Sequence, residues 1–107
     1  MRLKGKIAII TGGGSGIGRA IACLFAENGA HVVIAGRTEA PLINVAAEIK
    51  DKGYSASYVV ADVSKSEQVN KLVSQTIENF GRIDILVNNA GLLISKSVTE
   101  HSEEEFD

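Results

Sequence analysis

The sequence predicts an α/β domain: a parallel β-sheet wound on both faces by helices, in three layers. Three observations predict it. Short β-branched runs alternate with segments of helical period along the whole chain. The apolar runs are nearly continuous rather than alternating, as expected of strands covered on both faces. Glycine closes the first strand and stops each helix, at Gly29, Gly53 and Gly81. Strands that alternate with helices pair in parallel through right-handed crossovers.

The first strand is Lys6–Thr11, ending at glycine. Ile17, Ala20, Ile21, Leu24 and Phe25 then fall at i, i+3, i+4, i+7 and i+8, which predicts a helix with that face inward and Gly29 as its stop. His31–Ala35 is the second strand, with His31 at a solvent-facing start. Leu42, Val45, Ala46 and Ile49 mark a second helix, entered near Pro41 and stopped by Gly53. Ser57–Ala61 is the third strand. Ser64 and Glu67 have the spacing of a capping box, and Val69, Leu72, Val73, Ile77 and Phe80 follow as a helix face closed by Gly81. Ile83–Asn88 is the fourth strand. Ser102 and Glu105 repeat the capping spacing and predict a further helix start.

With 107 residues, the chain accommodates one small domain. A hydrophobic share of 45%, a charged share of 22% and a net charge of −2 place it among ordinary globular sequences. No basic excess marks a nucleic-acid surface, so nucleic acid is not an expected partner. No apolar run approaches the roughly 20 residues of a membrane span, and Ile7-Ala-Ile-Ile10 is too short for a signal-peptide core. The expected location is the cytoplasm. Cys23 is the one cysteine, which excludes an internal disulfide or a thiolate zinc site, and it reads as a packing residue. No metal-ligand cluster stands out.

Ligands of such sheets bind beyond the carboxyl ends of the strands. Four turns therefore matter. The first is Thr11-Gly-Gly-Gly-Ser-Gly-Ile-Gly18, between strand and helix. Glycines let the backbone turn sharply and approach a ligand, while the N–H groups and dipole of the next helix face an anion. A phosphate or pyrophosphate is the natural guest. The strict G-x-G-x-x-G spacing is not met, since residue 19 is arginine, and no Gly-Lys-Ser/Thr follows to make a nucleoside-triphosphate loop. The second turn is Gly36-Arg37-Thr38. A site for NAD usually places a carboxylate here, on the ribose 2′-hydroxyl. Glycine removes that charge, and arginine offers a bidentate partner for a 2′-phosphate, with Thr38 beside it. The third, Asp62-Val63, offers a carboxylate to an adenine amino group and an apolar surface to the ring; Asp62 is equally suited to starting the turn. The fourth, Asn88-Asn-Ala-Gly91, sets two amides after an apolar strand, where they need partners. Asn88 suits a bridge between strand ends and Asn89 a ligand contact.

Together, Thr11-Gly12-x-x-x-Gly16-x-Gly18, Asp62-Val63, Asp84-x-Leu86-Val87 and Asn88-Asn89-Ala90-Gly91 resemble the short-chain dehydrogenase/reductase family across almost the whole chain. The resemblance implies a Rossmann fold with strand order 3-2-1-4 over residues 1–107, as the N-terminal, cofactor-binding half. It implies nicotinamide cofactor contacts at Gly12, Ser15, Gly16, Ile17 and Gly18, adenine contacts at Asp62 and Val63, a cleft lined by Asn89, Ala90 and Gly91, and a structural Asp84. With Arg37 and Thr38, NADP(H) is the expected cofactor and NAD(H) a possible one. The family's reaction is carbonyl–alcohol oxidoreduction of a small molecule, commonly in a homo-oligomer. Its catalytic Tyr-x-x-x-Lys pair does not occur here: Tyr54 is followed at the fourth position by Tyr58, and Tyr58 by Asp62. No catalytic residue is therefore assigned, and the 107 residues alone are expected to show no turnover. Two other readings compete. One is a non-catalytic module that binds or senses NADP(H). The other is part of an S-adenosylmethionine methyltransferase, through Gly12-x-Gly14-x-Gly16, and Gly36-Arg37 speaks against it. The fourth strand is expected to be left as an apolar sheet edge that promotes self-association.

Overall fold

The computed structural model describes residues 2–12, 14, 16–88 and 92–98, the last segment as backbone. The elements are β1 (Ile7–Thr11), α1 (Gly16–Glu27), β2 (His31–Gly36), α2 (Glu39–Asp51), β3 (Ala56–Val60), α3 (Ser66–Phe80), β4 (Ile83–Asn88) and β5 (Leu92–Val98). The sheet order is β3-β2-β1-β4-β5, and β1 to β4 are mutually parallel as the alternation of strands and helices requires. Ser102 and Glu105 lie outside the described residues.

Successive residues of β1 divide the core. Ala8 and Ile10 pack on one side with Ala22 and Ala26 of α1 and Leu42, Val45, Ala46 and Ile49 of α2. Ile9 packs on the other with Val33, Ala35 and Leu72 of α3. This gives the three layers. The face expected of α2 is buried in full. That of α1 is not: Ile17 and Leu24 are 70% and 55% exposed, and the buried residues are Gly18, Ala22 and Ala26. Small residues let α1 lie close on the sheet, so shape rather than hydrophobicity chooses its inward stripe. On α3, Leu72 is buried together with Thr76, whose hydroxyl donates to the Leu72 carbonyl at 2.8 Å and so enters the core satisfied.

Two expectations are corrected. β4 is not a sheet edge: β5 pairs with it antiparallel, Asn88 opposite Leu92 and Leu86 opposite Ile94. Its outer backbone groups need partners, and the apolar stretch that begins four residues after Asn88 supplies them; so short a connection permits only an antiparallel pairing. His31 is half-buried rather than solvent-facing. Its ring lies 4.4 Å from that of Phe80, and its nitrogens bond the hydroxyls of Ser55 and Ser57.

At the amino end of the sheet, Asp84 is buried and accepts the Ile7 N–H at 2.8 Å and the Arg82 guanidinium at 2.5–3.0 Å. It ties β4 to the start of β1, far along the strands from the turns considered next.

Candidate functional site

The register brings the carboxyl ends of the strands together. Thr11 lies opposite both Ala35 and Asn88, and Gly36 opposite Val60. The strand ends that open the four turns marked in the sequence are thereby neighbours in space.

At the first turn, Gly12 has φ +66° and Gly16 φ +55°, backbone that strains a residue with a Cβ. The Gly12 N–H donates to the Ala35 carbonyl at 2.7 Å, which pins the loop to β2. A Cβ on Gly16 would meet nothing within 4 Å, so open space lies beside it. Gly14 serves packing instead: a Cβ there would come 2.8 Å from Pro41 Cβ, so its bare backbone lets the loop abut α2. Gly18 is buried on the inner face of α1, and Ile17 is exposed at the first turn of the helix. That first turn holds no acidic residue, whereas α2 and α3 have Glu39 and Glu67. The positive end of α1 thus has no carboxylate in its own first turn and suits an anionic guest. Ser15 lies outside the described residues.

Beside it, Arg37 is exposed and forms no ion pair among the described residues. Thr38 is the N-cap of α2 yet makes no side-chain capping bond, which leaves its hydroxyl available. Gly36 faces Leu42, whose Cδ2 would lie 3.4 Å from an added Cβ.

The third turn is a hydrogen-bonded unit. Asp62 Oδ1 accepts both the Ser64 N–H at 3.0 Å and the Ser64 hydroxyl at 2.6 Å, and the Asp62 carbonyl accepts the Lys65 N–H at 3.1 Å. The Ser64 hydroxyl bond and then its N–H hold the carboxyl below the usual carboxylate range; burial opposes them, and the charges of Arg37 and Lys65 add smaller lowering effects. Asp62 therefore does start the turn, through one oxygen. Ser64 is not the helix cap: α3 begins at Ser66 with Lys65 as N-cap, because the Ser64 hydroxyl is committed to Asp62. Val63 is partly exposed next to it. The sequence reading missed Gln68, whose Oε1 accepts the Asp62 N–H at 2.6 Å. A glutamine at the third position of a helix was the available signal.

At the fourth turn, the Thr11 hydroxyl lies 3.2 Å from the Val87 carbonyl and 3.3 Å from Asn88 Oδ1, so Asn88 does bridge β4 to β1. Asn89, Ala90 and Gly91 lie outside the described residues. Tyr58 donates to Glu39 at 3.2 Å; partial burial and then that carboxylate raise its pKa, opposite to what a proton relay requires. Among the described residues no group of three metal-binding side chains occurs, and no helix is long and apolar enough to cross a membrane.

The sequence profile of the family described as short chain dehydrogenase matches residues 6–107. The chain belongs to the short-chain dehydrogenase family. An uncharacterized oxidoreductase of Thermotoga maritima is 43% identical over 105 residues, covering 98% of this chain and 41% of the relative. Among solved structures, the citronellol catabolism dehydrogenase of Pseudomonas aeruginosa superposes with a TM-score of 0.80 at 42% identity, over 81% of this chain and 36% of the other. A metagenomic short-chain oxidoreductase in complex with NADP gives a TM-score of 0.81 at 37% identity, over 86% and 42%. The chain thus spans less than half the length of these short-chain dehydrogenase relatives, and it aligns with the dinucleotide-binding Rossmann part of the fold.

Proposed function

We propose that this chain is the cofactor-binding portion of an NADP(H)-preferring oxidoreductase that interconverts carbonyl and alcohol groups of a small molecule. The observation that carries the reading is the end of β2, where Gly36-Arg37-Thr38 presents a guanidinium and a free hydroxyl and no carboxylate. A 2′-phosphate placed there would meet a charge-assisted donor pair instead of a repelling acid. The metagenomic relative solved with NADP supports the same cofactor class.

The residues fit the group. Ser15, Gly16, Ile17 and Gly18 would hold the pyrophosphate through backbone N–H groups at the start of α1, where the space beside Gly16 is open, and Gly12, whose own N–H is given to Ala35, would shape the turn against it. Arg37 and Thr38 would hold the 2′-phosphate, Asp62 and Val63 the adenine, and Asn89, Ala90 and Gly91 the remainder of the cleft. When bound, the nicotinamide supplies or accepts a hydride. This chain's part is to orient the dinucleotide and to exclude the wrong one. No Tyr-x-x-x-Lys pair occurs in the 107 residues, so proton transfer is assigned to residues outside them. NAD(H) is the weaker cofactor in this reading, and a cytoplasmic homo-oligomer is the proposed state.

The test is Arg37→Ala with calorimetric titration of NADPH and NADH. One charge-assisted hydrogen bond at an exposed residue contributes about 1.5 kcal/mol or slightly more, roughly tenfold in affinity. NADPH should weaken by about that factor while NADH stays unchanged. Equal losses, or tighter binding of NADH by the parent, would remove Arg37 as the selector.

A further inference from the structure

We propose that Gln68 is a positioning residue for adenine recognition, holding Asp62 where one carboxylate oxygen is kept for the base. This rests on the reading above that Asp62 and Val63 receive the adenine. The β2–β3 ladder ends with the Ala61 N–H, which donates to the Gly36 carbonyl at 2.8 Å. β3 is the outer strand of the sheet, and successive N–H groups along a strand point to opposite sides, so the Asp62 N–H points away from β2 and has no strand to bond. Gln68 replaces the strand: from the third position of α3 its Oε1 reaches back six residues and accepts that N–H at 2.6 Å.

The consequence is an ordered carboxylate. With its N–H held by Gln68 and its carbonyl by the Lys65 N–H, Asp62 directs Oδ1 onto the N–H and hydroxyl of Ser64. Oδ2 takes no hydrogen bond among the described residues. It is a fixed, ionised acceptor, and an exocyclic amino group is the donor that suits it. A base carrying a carbonyl at the same place would set two acceptors against each other. The Gln68 side chain also walls a cavity of about 380 Å³ with Ala61, Lys71, Leu72 and Gln75.

The experiment compares the parent, Gln68→Leu and Gln68→Glu in the intact protein. Affinity is measured for NADPH and for its hypoxanthine analogue, which has a carbonyl in place of the adenine amino group. Thermal melting of each variant is followed in parallel. The parent should prefer the adenine cofactor by about tenfold, the worth of one charge-assisted bond. Gln68→Leu should lose most of that preference, and Gln68→Glu, which keeps an acceptor for the Asp62 N–H, should restore it. A merely structural role would lower the melting temperature and both affinities while leaving their ratio intact; that result overturns the proposal and leaves the adenine reading standing. A parent that does not distinguish the two bases overturns the adenine reading and the proposal with it.

Discussion

Replacing Asp84 with alanine should destabilise the fold without touching the cofactor turns. Asp84 is 5% exposed, and its Oδ2 is the acceptor for the Ile7 N–H at 2.8 Å. Ile7 is itself buried at 8% exposure, so water reaches the freed amide poorly. A buried donor left without an acceptor costs about 1–3 kcal/mol. The ion pair to Arg82 adds less, because the Arg82 side chain is 45% exposed and regains water when released; such half-exposed pairs contribute at most about 1 kcal/mol. The sum is about 1–4 kcal/mol, a sizeable part of a small domain's typical stability of about 5–15 kcal/mol. Asp84→Asn keeps one oxygen acceptor and should lose less. Urea unfolding followed by circular dichroism measures both variants. A loss below about 0.5 kcal/mol for the alanine variant would show that the β1–β4 tie is not what holds the amino end of the sheet.

Gly16→Val should abolish dinucleotide binding by calorimetry while leaving most helical content, because φ +55° is strained for a β-branched residue and the added side chain enters the open space beside the loop; unchanged affinity would refute the loop assignment. Stability should also depend on pH through His31. Burial, and secondarily Lys50, hold its pKa below the ordinary 6.5. The unfolded chain then binds the proton more readily than the folded one, so the His31 contribution is complete above pH 6.5 and falls as pH drops from there toward the folded pKa. Protonation also obliges both ring nitrogens to donate, so whichever of the Ser55 and Ser57 hydroxyls had donated to the ring must accept instead. His31→Gln should flatten the fall of the unfolding free energy below pH 6.5 relative to the parent; an identical slope in both proteins would exclude His31 as its source.

What the sequence determined by itself is whatever is encoded locally. Chain order, strand type and the stops at Gly29, Gly53 and Gly81, all with positive φ, follow from period and from a backbone conformation that glycine alone adopts without strain. The buried face of α2 was legible because its inward residues are also its large apolar ones. The four turns could be named as a site because a parallel sheet gathers its carboxyl ends whatever the side chains do. Tertiary structure decided the rest, wherever a residue's environment is set by segments distant in sequence. The inward stripe of α1 is Gly18, Ala22 and Ala26 because close approach to the sheet excludes Leu24, a constraint its own period does not carry. His31 is half-buried because Phe80 and the serines at the start of β3 close over it. β4 gains β5 because an open ladder draws in the chain that follows. Ser64 gives up its expected capping role to Asp62, and Gln68 reaches six residues back, because β3 is the outer strand and leaves the Asp62 amide without a strand to bond.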